Sequence, residues 1–518
     1  MTVFTPPANP PAILETAPPR FGRTPVRVAS HQYDYVVTGN TLLPPKLIEA
    51  TIQKAVDPNA AIQALLKQYH KHGFMLVAVT AQVKSKKNVE IAVVEGMVTD
   101  QKIPDPLQPY FPNALYRSDI QQSDLIRDQV MASTFAARSG HHVTINLSPA
   151  PNPGGSVLTV NQTRISGYSP VSAIVNFGNY GSRYASGYIA GGQVNANLGH
   201  GVAINASFTQ GIPGLRRVSL GSNYYTNGVG ISVVRPYGIY GFSANWTHFR
   251  LGKSTYPLNP DGNVFTYQFT GSQLLYAGKT DRITLNEAFN HVRYTETVFN
   301  GFYTLLNQHY DYLTGGISAS HAMSVLGESA SLQGSFNFNL GISAPYGTLY
   351  DNIRGAPTPH FRYTVMSLEY DQSIPHGMSI ELSGNAQWSP NTLPSQQQWV
   401  LGGFGNLSAW EPGTIVGDSG YIARLQLNLP TFRRWGSAAK LGAYIETGGA
   451  ANANAPHGTA PWQTLSDVGL SLTLTLPHKI SIKAMAAHPI HTSGFTQAGK
   501  NNLKLNRINA FFVIQKGF

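Results

Sequence analysis

From about residue 166 onward the chain alternates with a period of two. Val202, Ile204, Ala206 and Phe208 are interleaved with Ala203, Asn205 and Ser207; Leu332, Phe336, Phe338 and Leu340 with Gln333, Ser335, Asn337 and Asn339. Met378, Ile380, Leu382, Ala386 and Trp388 alternate with Ser379, Glu381, Ser383, Asn385 and Gln387, and Val468 to Leu476 does the same against Gly469, Ser471, Thr473 and Thr475. Successive strand side chains point to opposite faces, so each segment has one apolar face and one face of Asn, Gln, Ser and Thr. Two architectures use such faces. A soluble sheet buries the apolar face as a core; a membrane barrel turns it to lipid and lines a water-filled lumen with the other. Segments of about nine residues or more suit tilted strands crossing about 30 Å of hydrocarbon, and about sixteen can be counted, within the usual even range of such barrels. The count is ambiguous by one hairpin between Arg216 and Trp246.

Composition separates the two. Charged residues make up 12% and aromatics 11%, with 51 glycines; the charge is about half the soluble norm. The mean hydropathy of −0.14 and the absence of any 18-residue apolar run exclude spanning helices. A solenoid or propeller would show a fixed-period repeat, and none is present. The expected fold is a transmembrane β-barrel over residues 166–518. With no cysteine there is no disulfide framework and no thiolate metal site. The net charge of +11 is scattered along the chain, which suits anionic lipid headgroups or an acidic partner, not a nucleic acid. Gly-x-Ser-x-Gly, His-Glu-x-x-His and P-loop motifs are missing. His141 and His142 would face opposite sides of a strand, poor geometry for one metal. No catalytic residue, metal site or cofactor is expected.

The N-terminal third reads differently. Seven prolines between Pro6 and Pro25 predict an extended linker over 1–30, in which only 12–17 could form a short helix; no secretory signal opens the numbering. Residues 31–98 predict strand, two helices and two strands. Leu47, Ile48 and Ile52 share one helical face; Asp57-Pro58 is an N-cap with Pro at the first helical position; Ile62, Leu65, Leu66 and Tyr69 continue the pattern until Gly73. Residues 99–165 predict a helix capped by Ser123, bearing Leu125, Ile126, Val130 and Phe135, followed by a hairpin around 149–155.

One stretch breaks the alternation. Residues 401–420, LGGFGNLSAWEPGTIVGDSG, form a long Gly-rich loop between strand-like segments. Loops of this length are functional or disordered, and the turn residues point to an ordered one. Its frame, LGG, a four-residue tip, then Gly417-Asp418-Ser419-Gly420, resembles the sixth-loop hairpin of two-partner secretion transporters (TpsB proteins) of the BamA-type superfamily. In that family the loop folds back into the barrel and carries a Val-Arg-Gly-Phe/Tyr tip. The matching residues are Leu407, Ser408, Ala409 and Trp410, without the arginine. Tyr444, Glu446 and Gly448 resemble the family's Phe-x-Asp-x-Gly barrel motif, whose acid pairs with the loop arginine; Arg424, on the polar parity of a nearby strand, is the candidate partner for Glu446. A carboxylate merely solvated by channel water is an equal alternative, because an exposed ion pair contributes little. The GNTLLP, YHKHGF and VVEG joints of 31–98 and the 149–155 hairpin pattern resemble two POTRA domains, and a terminal Phe518 on an alternating strand resembles the outer-membrane barrel assembly signal.

The resemblance implies an outer-membrane pore with periplasmic POTRA domains that bind an unfolded secreted TpsA-like partner and export it. Outer-membrane lipid and, during biogenesis, the barrel-assembly machinery would be its other partners. A barrel-assembly factor of the same superfamily and a passive porin are the alternatives.

Overall fold

The computed structural model describes residues 24–518 apart from 31, 153, 217–219, 253–254, 348, 350–354, 455–460 and 509. Most of the Pro-rich segment, with the possible helix at 12–17, lies outside the described residues. Chain order begins with a strand, Val26–Ser30, inside the segment expected to be linker. It pairs antiparallel with Tyr33–Thr38, because Pro25 ends the proline series and Val28 finds a buried place in the first core. The sheet runs Val26–Ser30, Tyr33–Thr38, Asn88–Glu95, Val77–Val83, the middle pair parallel. Helices Pro45–Ile52 and Pro58–Lys71 cover one face with Ile48, Ile52, Leu65 and Tyr69 fully buried. Asp57 caps the second helix, its side chain accepting from Ala60 N at 2.7 Å. The sequence joints converge on Glu95, which accepts from Thr41 N and Leu42 N at 2.8 Å and from Tyr69 Oη at 3.0 Å.

The second unit starts slightly earlier than the expected residue 99, with the strand Met97–Lys102. Gly155–Arg164 pairs parallel to it and antiparallel to His141–Pro149, and the helix Gln122–Ala137 packs on this sheet. Its cap is Gln121, not Ser123: the Gln121 backbone N–H donates to Asp124 Oδ2 at 3.2 Å, placing Ser123 inside the first turn.

Among the described residues, the strands from Val171 onward, apart from the short Trp399–Leu401 and Ile415–Gly417, close into an antiparallel barrel of sixteen, counting Ser419–Asn428 and its short continuation Phe432–Arg434 as one. The ambiguous hairpin resolves into Asn223–Arg235 and Gly238–Arg250. Closure comes from Ala510–Gly517 pairing with Val171–Gly178. The apolar parity is aligned from strand to strand: Leu425 lies opposite Ile445, and Ile445 opposite Val468, all three exposed on the outer surface. A closed sheet with apolar residues outside leaves no unpaired backbone edge in lipid.

Long loops gather at one end, including 179–188, 212–222 and 389–418, and tight turns at the other, including 200–201, 326–327 and 435–436. The second N-terminal unit sits against the tight turns. Arg138 Nη1 donates to the carbonyls of Gly201 and Ser232 at 2.7 and 2.8 Å, and Tyr110 Oη to the Val234 carbonyl at 3.2 Å.

Candidate functional site: a loop tip seated in the barrel wall

The sixth connection at the long-loop end spans 389–418, wider at its start than the expected 401–420. The strand-like lead-in does not belong to the barrel: Trp399–Leu401 pairs with Ile415–Gly417 as the loop's own hairpin. Ser419 and Gly420 belong instead to the strand Ser419–Asn428. Gly403 N donates to the Trp410 carbonyl at 2.8 Å, and Trp410 N to the Leu407 carbonyl at 3.1 Å, so the tip is a compact turn with Leu407 at φ +61°.

This tip is buried. Leu401, Leu407, Ala409, Trp410 and Ile415 form a core with Ala450 and Leu465 of the wall and Leu503 of a further loop. Trp410 is 0% exposed. Two wall glycines admit the loop. A Cβ on Gly448 would stand 2.8 Å from the Tyr421 carbonyl and 3.3 Å from Leu407 Cδ1, and one on Gly420 would lie 1.9 Å from the Trp399 ring.

The polar half of the site crosses three adjacent strands. Arg424 lies opposite Glu446, and Glu446 opposite Asp467. One Glu446 oxygen pairs with Arg424 and the other accepts the Ser408 backbone N–H at 2.7 Å. Asp467 accepts the next amide, Ala409 N–H, at 2.8 Å. The guanidinium of Arg424 stacks 4.0 Å from the Tyr444 ring centroid. Consecutive backbone amides therefore meet carboxylates where the family tip has an arginine. Ser408 is 1% exposed, its hydroxyl accepting from Gly405 N at 3.1 Å, so the tip is filled without that side chain. Of the two readings the sequence left open for Glu446, the geometry favours the paired one: Glu446 and Asp467 are both 0% exposed, and a charge in such a place is costly unless paired and hydrogen-bonded.

Asp418 and Phe518 lie outside this cluster. Asp418 fastens the base of the loop, accepting Leu393 N at 2.8 Å and Ala453 N at 2.9 Å. Phe518, exposed at the end of the last strand, donates its N–H to the Ala173 carbonyl at 2.9 Å beside the barrel closure.

Three participants escaped the sequence reading. Asp467 is the one acid on its strand, on the parity that continues through Gly469, Ser471, Thr473 and Thr475, and that is the one local signal it gave. Glu411, just beyond the tip, is 1% exposed; it accepts Arg183 N at 2.7 Å and pairs with Arg216, tying the sixth loop to the first and second. The helix Gln497–Leu505, capped by Thr496, lies over the tip, with Asn506 O accepting from Glu411 N at 2.9 Å and Ile508 N donating to Ala409 O at 3.1 Å.

Replacing Glu446 separates its two roles. Glu446→Gln has one acceptor oxygen to face two donors, Arg424 and Ser408 N–H, and should weaken the tip's seating by about 1–3 kcal/mol. Glu446→Ala removes both acceptors and leaves a buried guanidinium, with an expected loss of about 3–5 kcal/mol. Thermal melts of the folded barrel with single-channel recordings should rank the two in that order; equal and negligible effects would show that the carboxylate does not hold the tip.

These features define a class: an outer-membrane β-barrel whose lumen is occupied by one of its own loops. Residues 154–473 match the family model of haemolysin secretion/activation proteins ShlB/FhaC/HecB. The fold is similar to CdiB from Escherichia coli (TM-score 0.75, 18% identity, covering 98% of this chain and 94% of that one) and to CdiB from Acinetobacter baumannii (TM-score 0.68, 14% identity, 98% and 91%). No curated protein matches the sequence. The chain belongs to the ShlB/FhaC/HecB family of two-partner secretion transporters, which are outer-membrane secretion pores.

Proposed function

We propose that this pore captures an unfolded secreted protein of the TpsA type on its two N-terminal POTRA domains, in the periplasm, and passes it outward through the barrel. The observation carrying this reading is the arrangement at the tight-turn end. Two small α/β units stand at the lumen mouth, the second bonded to the barrel through Arg138 and Tyr110. In the first, Val77–Val83 is a terminal strand of its sheet, hydrogen-bonded to Asn88–Glu95 on one side only. Such an edge can accept an extended peptide as an added strand, with main-chain bonds supplying affinity without a fixed sequence. At the other end, displacement of the sixth loop clears the lumen for passage, and folding of the partner outside draws it through. The reaction uses no cofactor. The seated loop tip supports a gated pore over a passive porin, and two N-terminal units support a secretion role over barrel assembly.

A photo-crosslinking residue at Gln82, on the exposed part of that edge, should form adducts with the secreted partner during export. Undiminished export with no adduct from Gln82 or its neighbours along the edge would contradict strand addition there.

A further inference from the structure

We propose that the barrel pairs with a second copy of itself in the membrane plane, through the outer faces of the strands Asp261–Ala277 and Asp281–Val298. At the centre of the contact Gln273 and Glu287 of each copy bond to Glu287 and Gln273 of the other.

The observation behind this is a carboxylate on the lipid side of the wall. Glu287 lies opposite Gly271 on one neighbouring strand and Gly315 on the other. Its parity is the outer one, shared with the exposed Phe269, Ile283, Phe289, Leu313 and Ile317. Glu287 is itself exposed and stands within this apolar band. Elsewhere on the described barrel strands, an outward-facing Asp, Glu, Lys or Arg stands within two residues of a strand end, as Arg235, Arg250, Asp261, Asp281 and Lys516 do. Arg293 and Asp311, on the same strand and its neighbour, lie nearer the long-loop end. Asp311 is answered within the chain, by His291 Nδ1 at 2.6 Å and Ser343 Oγ at 2.8 Å. Glu287 is met by a neutral amide, Gln273 Nε2 donating to Oε1 at 2.8 Å. An acid facing hydrocarbon is costly, and such residues mark functional contacts.

Lipid has no donor at this depth, because headgroups lie at the interface. A second wall has one. Gln273 keeps a further amide N–H and Glu287 a further oxygen, so the pair is donor and acceptor at once. A two-fold axis along the membrane normal holds both copies at one depth and brings each Gln273 to the other's Glu287. Self-complementarity of this kind is what an isologous contact requires. A partner presenting a cation would answer the acid and leave the Gln273 N–H unmet, which favours the second copy.

Glycines let the walls approach. A Cβ on Gly271 would stand 2.8 Å from Glu287 Oε1, so the carboxylate lies down against the backbone. A Cβ on Gly315 would meet nothing within 4 Å, which leaves a shallow notch on the other side. Small residues at a membrane interface allow close packing while polar side chains join across it.

The test is a photo-crosslinking residue at Leu285, which lies opposite Gln273, in outer membranes containing two differently tagged copies of the full chain. The expected conjugate carries both tags. The same residue at Leu470, exposed on the far wall, should give none. Adding Glu287→Leu should lower the yield at least about fivefold, on the scale of losing hydrogen bonds between chains in lipid. The variant barrel should keep its heat-modifiable mobility, because leucine continues the apolar band. Glu287→Gln keeps an acceptor oxygen and should retain most of the conjugate. A conjugate to a different protein would put another partner on this face and overturn self-association. Equal yields from Leu285 and Leu470, no conjugate at Leu285, or a Glu287→Leu yield equal to wild type would overturn it as well.

Discussion

Deleting residues 24–165 should abolish export of the secreted partner while leaving a folded, conducting barrel. The barrel's stability comes from a closed hydrogen-bonded sheet that needs no strand from the N-terminal units. What they contribute is local. The helix Gln122–Ala137 and its neighbours cover Val234, with Ile239 and Leu274 packed alongside, and Arg138 satisfies the Gly201 and Ser232 carbonyls. At a water-exposed rim those carbonyls can bond to solvent instead, and the lost apolar burial costs on the order of a few kcal/mol at about 25 cal/mol per Å². The barrel should therefore still reach the outer membrane. Export in the proposed mechanism, in contrast, needs a place where an unfolded chain is held at the lumen mouth, and the deletion removes it. Planar-bilayer recordings and a secretion assay on the same variant check both halves. Continued export would remove the capture step from the mechanism.

Trp410→Ala should release the loop tip. The side chain is fully enclosed, between the loop's own Leu401, Leu407 and Ile415 and the Leu503 side chain of the covering helix. Truncating a buried tryptophan costs about 3–5 kcal/mol in lost transfer free energy and cavity. Part of the cost falls on the seated state alone, because a displaced loop would expose the ring anyway. If most of it does, the seated-to-displaced ratio falls by about a hundredfold or more, at a factor of ten per 1.4 kcal/mol. The expected record shows frequent, long openings to a larger conductance, with Glu446→Gln affected less. A Trp410→Ala channel indistinguishable from wild type would mean that apolar packing does not hold the loop.

The alternating faces were legible because strand periodicity is local: each residue's parity follows from its neighbours alone. The tip, Leu407 to Trp410, was placed by the resemblance of its Gly-rich frame to the family's loop, and Arg424 by parity within its own strand. Its pairing with Glu446 depends on register between strands, which no local pattern states. Asp467 shows the limit most clearly. It meets Ala409 across 58 residues, and only folding makes them neighbours. The first strand, Val26–Ser30, was hidden because nearby prolines argued for a linker, and tertiary pairing with Tyr33–Thr38 overrides that composition. Which of the two open readings of Glu446 holds was hidden for a similar reason: its burial comes from the seated loop, whose Ser408 N–H it accepts across 38 residues.

The central claim is that the sixth loop folds inward and is seated on the barrel wall. The chain has no cysteine, so a single Ala409→Cys substitution gives an unambiguous probe. In intact cells with the pore at rest, a bulky, membrane-impermeant thiol reagent should leave this cysteine unlabelled, and combining it with Trp410→Ala should make it reactive. Ready labelling of Ala409→Cys alone, in a barrel of normal heat-modifiable mobility, would put the tip outside and contradict the account.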